Sequence, residues 1–262
     1  MIPKDFIKNW RQKVNWLFDR QVEQDLVISR ALVALYNHPG IIASLAFRGG
    51  TALNKLFFNP ATRYSEDLDF VQIKDEPIGK TISNIRSVLD PWLGEARWSQ
   101  KQRSVKLVYR FDSEDSPSFP MRLKIEINSV EPFSVYGFTT RNHTVDSPWF
   151  SGSSEISTYC LDELMATKLR ALFQRSKGRD LFDLWIGVRK YYIDCDRVVK
   201  CFKKYNEHHG TIILPKQFEE NISNKMGDPT FLNDIVPLLA EGVSWNENDA
   251  WQTLTNELLT RF

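Results

Sequence analysis

At 262 residues, with 34 basic against 33 acidic side chains and a formal net charge of +1, the chain can bury a sizeable core as one large domain or as two, and it lacks the overall charge of a protein that coats nucleic acid; a local basic patch remains open. Cys160, Cys195 and Cys201 form neither a Cys-x-x-Cys pair nor a metal-finger spacing, so they read as ordinary thiols of a reducing compartment. Met1-Ile2-Pro3-Lys4-Asp5 has no signal-peptide core, and no stretch reaches the roughly 18 apolar residues of a membrane span, so a cytoplasmic protein with no membrane partner is expected.

Residues 1 to about 40 read as helix. Trp16, Leu17, Val22, Leu26, Val27, Leu32, Val33 and Leu35 recur at three- and four-residue spacing up to Asn37-His38-Pro39-Gly40, the pattern of an amphipathic cover over a sheet. Strands are expected to take over from 41 to about 150. Segments 41–47 and 68–72 frame a first helix starting near Ala52, a second helix runs over 78–93, and 105–111 and 121–130 alternate as strands around a Ser-, Asp- and Pro-rich turn over 112–120. From about 155 the pattern returns to helix, with loops near 206–210 and 227–229. No internal repeat is present.

The chemistry concentrates in two blocks. In Phe47-Arg48-Gly49-Gly50-Thr51-Ala52-Leu53, two glycines let the backbone bend tightly and approach a ligand, and Thr51 stands where a hydroxyl would cap the following helix. A helix start of this kind offers unpaired N–H groups to phosphate. In Arg63-Tyr64-Ser65-Glu66-Asp67-Leu68-Asp69-Phe70, strand alternation turns Asp67 and Asp69 to one side and Leu68 and Phe70 to the core. Two convergent carboxylates call for a cation, and Mg²⁺ (or Mn²⁺) shared with substrate phosphates suits them. Either block alone is a common turn or a solvated strand face; their succession is far less ordinary. Arg63 and Ser65 are placed to touch phosphate or to orient a carboxylate, or else serve the turn alone.

Three later features extend the pattern. In Arg122-Leu123-Lys124-Ile125-Glu126-Ile127-Asn128 the apolar residues share one face, leaving Glu126 on the polar side; if this strand lies beside the one bearing Asp67 and Asp69, the three acids form a metal cluster. In the helix over 161–172, Leu161, Leu164, Met165 and Leu172 form a stripe with Lys168 in its middle, a lysine that needs an anionic partner or must snorkel to water. Beside a triphosphate it would neutralise the β- and γ-phosphates. Asp180 and Asp183 lie one turn apart, flanking Leu181, Leu184, Trp185 and Val188; Arg179 could pair with Asp183, and Asp180 could simply cap a helix. The cations Lys168, Arg170, Arg175, Lys177 and Arg179 make either a solvated face or a grip on an RNA backbone. The four histidines form no triad or zinc pattern.

These blocks resemble the signature of the DNA-polymerase-β-type nucleotidyltransferase superfamily, and within it the AbiEii/AbiGii toxin-like, MenT-like family, with its Gly-Gly-Thr-x-Leu and Ser-x-Asp-Leu-Asp-Phe segments; Lys124-Ile125-Glu126, Lys168 and Arg179-Asp180-x-x-Asp183 match its later motifs. The resemblance spans about 45–185. It implies an α+β fold: a polymerase-β-type core with a mixed or antiparallel sheet and N-terminal covering helices over 1–150, and a C-terminal helical domain over 151–262 that completes the active site. The implied activity is metal-dependent transfer of a nucleoside monophosphate from a nucleoside triphosphate to an acceptor hydroxyl. The tRNA 3′ end is the implied acceptor and a type IV toxin–antitoxin or phage-defence system the implied setting, with an antitoxin of the AbiEi-like winged-helix type as partner. Catalytic roles then fall to Asp67, Asp69, Lys168 and Asp180; metal binding to Asp67, Asp69 and Glu126; phosphate binding to Gly49, Gly50, Thr51, Arg63, Ser65 and Lys168; RNA contact to Arg170, Arg175, Lys177 and Arg179. A small-molecule or protein acceptor, or a non-catalytic nucleotide-binding role in defence, stays open.

Overall fold

The computed structural model describes residues 2–101, 104–115 and 117–262; Met1 and Ser116, which fall in segments assigned above, lie outside them. Two units emerge. One runs up to Phe133 and resumes over Gly137–Tyr159; the other comprises Ser134–Tyr136 and Cys160–Phe262.

The first unit is built on a seven-stranded mixed sheet. Helices α1 (Lys4–Arg11), α2 (Asp19–Tyr36) and the short α3 (Pro39–Ile42) precede β1 (Leu45–Arg48), and α4 (Gly49–Ala52) runs into a π-helical turn over Leu53–Phe57. Then come β2 (Asp67–Gln72), α5 (Gly79–Leu93), β3 (Arg97–Lys101), β4 (Ser104–Asp112), β5 (Pro120–Asn128), β6 (Phe138–Asp146) and β7 (Ser151–Tyr159). The strand order is β3-β4-β5-β2-β1-β7-β6. β2 pairs with β5 and β1 with β7 in parallel, and the remaining neighbours are antiparallel.

Alternation decides what each strand buries. Leu68 and Phe70 on β2, Leu123, Ile125 and Ile127 on β5, and Val105, Leu107 and Tyr109 on β4 are buried together, against α2 and α5. The expected amphipathic cover proves deeper than that: α2 is buried on nearly every side, including Glu23, Gln24 and Asp25. The Asp25 charge is matched, since it accepts from Lys55 Nζ at 2.6 Å and from Trp10 Nε1 at 2.9 Å. Three strands escape the sequence reading. β3 is exposed along its length, and β6 and β7 form a Ser- and Thr-rich hairpin that carries the sheet unit to Tyr159.

The second unit is helical: α6 (Leu161–Gln174), α7 (Gly178–Tyr191), α8 (Cys195–His208), α9 (Pro215–Met226), α10 (Pro229–Asn233) and α11 (Glu247–Glu257). α6 packs on α7, α8 and α9, and α7 on α11. All three cysteines are free. One buried carboxylate ties in the separate tripeptide: Glu163, on α6, accepts from Ser134 Oγ at 2.7 Å, from the Val135 and Tyr136 backbone N–H groups at 2.7 and 3.0 Å, and from Tyr205 Oη at 2.8 Å. Four donors keep that charge from being stranded.

Candidate active site

Gly49 opens α4 with φ +81, a conformation that L side chains avoid, and a Cβ built there would run into the Asp69 carboxylate. Only glycine therefore lets the turn lie against that side chain. Gly50 meets the same limit from another direction, because a Cβ would collide with the buried Arg63 guanidinium. That guanidinium donates to the Tyr64 carbonyl at 3.0 Å.

Thr51 does not cap the helix, contrary to expectation. Arg48 holds the cap position, while the Thr51 hydroxyl lies 2.6 Å from the Asp67 carbonyl and 2.9 Å from Ser65 Oγ. It thus fastens the glycine turn to the start of β2. Asn54, which sequence reasoning passed over, completes the fastening: its amide donates to the Gly50 carbonyl at 3.0 Å and accepts from the Thr62 N–H at 2.9 Å. A second omission is Arg48, in register with Asp69 and 3.7 Å from the buried Glu131 carboxylate. Its position directly before the glycine pair was the available signal.

β2 and β5 are neighbours in parallel, with Asp67 opposite Lys124 and Asp69 opposite Glu126. Even so, the three-carboxylate cluster is not assembled. Among the described residues no group of three or more His, Cys, Asp or Glu side chains is placed to hold a metal ion. Two lysines interleave with the acids: Lys124 Nζ lies 2.6 Å from Asp67 and 3.7 Å from Glu126, and Lys106 Nζ lies 3.4 Å from Glu126. Burial alone would lower the Lys124 ammonium, but the hydrogen bond and charge of Asp67, with the charges of Asp69 and Glu126, carry it above the ordinary lysine range. The carboxylates have already drawn in a cation. Hard oxygen donors of this kind fit Mg²⁺, which needs only one or two carboxylates beside water and phosphate oxygens.

In the helical unit, Lys168 and its neighbours form a buried charge network. Lys168 Nζ lies 3.1 Å from Asp180 Oδ1 and 2.8 Å from Asp183 Oδ2, both carboxylates being fully buried. Arg175 donates to Asp180 through Nε at 2.7 Å and Nη2 at 3.0 Å. Burial would raise the Asp180 carboxyl; the Lys168 charge and the Arg175 hydrogen bond and charge outweigh it and hold the group well below the usual carboxylate range. Lys168 does not snorkel. Two of its three N–H donors are spent on carboxylates. Arg179 pairs with Asp234 at 3.3 Å rather than with Asp183, Lys177 shares Asp234 at 3.4 Å, and Arg170 lies over the Tyr205 ring.

A family model described as "Nucleotidyl transferase AbiEii toxin, Type IV TA system" matches residues 30–254. The chain is similar in structure to MenT4, a nucleotidyltransferase toxin from Mycobacterium tuberculosis, at 16% identity and a TM-score of 0.63, covering 100% of this chain and 91% of that one. It is also similar to JHP933 from Helicobacter pylori, at 18% identity and a TM-score of 0.54, covering 89% and 88% of the two chains. At such identities the likeness is one of fold. No curated protein matches the chain.

Proposed function

Since the chain belongs to the AbiEii family of nucleotidyltransferase toxins from type IV toxin–antitoxin systems, we propose that it transfers a nucleoside monophosphate from a nucleoside triphosphate to the 3′-terminal hydroxyl of a tRNA. The observation that carries this reading is the glycine turn packed on the Asp69 carboxylate, on the strand that also presents Asp67 and beside the one that presents Glu126.

Each residue has a task within that reaction. Gly49, Gly50 and Thr51 hold the triphosphate at the start of α4, where no side chain caps the first N–H groups. Asp67 and Asp69 would hold Mg²⁺ or Mn²⁺ beside water and phosphate oxygens, and Glu126 would join as third donor once Lys124 withdraws from between the acids. When bound, such an ion lowers the pKa of an attacking hydroxyl and neutralises phosphate charge. Arg63, buried under Gly50, and Ser65, bonded to Thr51, fix the turn behind the phosphates. Lys168 supplies its remaining donor to the β- and γ-phosphates, and Asp180 positions Lys168 and Arg175. Of the helical unit's cations Arg170, Arg175, Lys177 and Arg179, Arg175 is held by Asp180, and Lys177 and Arg179 by Asp234. Alignment and charge neutralisation do most of the work in an in-line displacement. An AbiEi-like antitoxin would restrain the activity in the cell, and the cytoplasm is the compartment where tRNA and triphosphates meet. Among the described residues no helix is long and apolar enough to cross a membrane.

Incubation with each α-³²P-labelled triphosphate and total RNA tests the proposal. Label should enter tRNA in the wild type and fall at least about 100-fold in Asp69→Asn, the loss of roughly 3 kcal/mol of transition-state stabilisation. Label on protein or on a small molecule would reassign the acceptor; undiminished labelling by Asp69→Asn would remove the site.

A further inference from the structure

We propose that the acceptor's phosphate backbone lies on the open face of the sheet, on strands β3, β4 and β5, rather than on the cations of α6 and α7. The inference rests on the reading that RNA is the acceptor and deepens it.

The face follows from the register. Asp67 stands beside Lys124, Lys124 beside Val108, and Val108 beside Arg97, so one row runs from the carboxylates to the edge strand. At about 4.8 Å per strand that row is about 14 Å long. On the same pleat lie Lys106, next to Glu126; Arg110 and Arg122; and Lys101, next to Ser104. The side chains that alternate with these, Val105, Leu107, Tyr109, Leu123 and Ile125, form the core on the reverse face.

Two observations point to an anionic guest. Arg110 and Arg122 are directly opposite each other on antiparallel strands, and both are exposed. Like charges so placed repel, and a fold gains nothing from them unless something negative settles between. The second observation is a contrast in neutralisation. In the helical unit, Arg175 is held by Asp180, and Lys177 and Arg179 by Asp234. On the sheet, Arg97, Lys101, Arg110 and Arg122 have no carboxylate within ion-pair distance among the described residues. Their charge is available to a ligand.

The spacing identifies the ligand class. Arg110 and Arg122 stand about 5 Å apart across the ladder, and Lys124 follows Arg122 about 7 Å along β5, a spacing suited to successive phosphates. The one large aromatic of the edge strand, Trp98, lies on the opposite pleat and offers this face no stacking platform. Contact is therefore with the backbone, tolerant of sequence and sensitive to salt.

The test is fluorescence anisotropy of a labelled tRNA transcript, titrated with the full chain at several sodium chloride concentrations. Arg110→Gln/Arg122→Gln should bind at least tenfold more weakly, and the slope of log affinity against log salt should shrink by between about 1 and 2. Its melting temperature should equal or exceed that of the wild type, because a repulsion has been removed. Lys80→Gln, an exposed cation on α5, should leave the slope unchanged. If the double variant fails to fold, Arg97→Gln/Lys101→Gln at the exposed edge carries the same expectation. Unchanged affinity and slope, with the wild type still labelling tRNA, overturns this surface and leaves the proposed activity standing. A wild type that binds no tRNA and labels another acceptor overturns both.

Discussion

Lys168→Met removes a cation shared by two fully buried carboxylates, 3.1 Å from Asp180 and 2.8 Å from Asp183. Deleting one partner of a buried ion pair costs about 3–5 kcal/mol, because the survivor stays buried and uncompensated. Arg175 still holds Asp180 through two hydrogen bonds, so the lower end, about 3 kcal/mol, is expected. Asp183→Asn in the same background removes the excess negative charge and should restore about 1–2 kcal/mol. The pair is therefore non-additive. Urea unfolding at pH 7 of the wild type, both single variants and the double variant measures this coupling. A Lys168→Met chain within about 1 kcal/mol of the wild type, or fully additive variants, would refute the network as the source of stability. The measurement also governs how activity is read: transfer lost in Lys168→Met says nothing about phosphate until the stability cost is known.

Gly49→Ala forces an L residue to φ +81 and into the Asp69 carboxylate. The backbone part alone costs about 1–2 kcal/mol, and thermal melting should fall together with labelling of RNA; a variant unchanged in both would show that the turn tolerates a side chain. His143 is neutral in the fold, its pKa pushed down to about 4 by burial and by the Lys55 charge, partly offset by Asp25. The unfolded group takes up its proton near the ordinary imidazole value of 6.5, so its contribution is complete above that pH and fades as pH falls towards 4. Between pH 7 and pH 5 the urea midpoint should report a loss of about 2 kcal/mol that His143→Gln lacks; an equal loss in the variant would place the sensitivity elsewhere.

How much of this was legible in the sequence depends on the distance over which each feature is decided. The alternation of Asp67, Leu68, Asp69 and Phe70 is local, and the burial of Leu68 and Phe70 follows it; so does that of Leu123, Ile125 and Ile127. The inward Lys168 was likewise visible in helical spacing. What escaped is set by partners far along the chain. The Thr51 hydroxyl is claimed by the Asp67 carbonyl, reached only once β2 folds back. Lys124 enters the carboxylates because β5 pairs with β2 in this register. The hairpin of β6 and β7, rich in Ser, Thr and other polar residues, carries too little apolar alternation to announce itself.

The Glu163 carboxylate has a practical bearing on dissecting the molecule. A fragment beginning at Cys160 would keep Tyr205 but lose the hydroxyl and two amides of Ser134–Tyr136, leaving three of four bonds to an interior charge unmade. Truncation at the obvious junction would thus yield a weakened piece, and swapping helical halves between relatives would succeed only when the tripeptide travels with its acceptor.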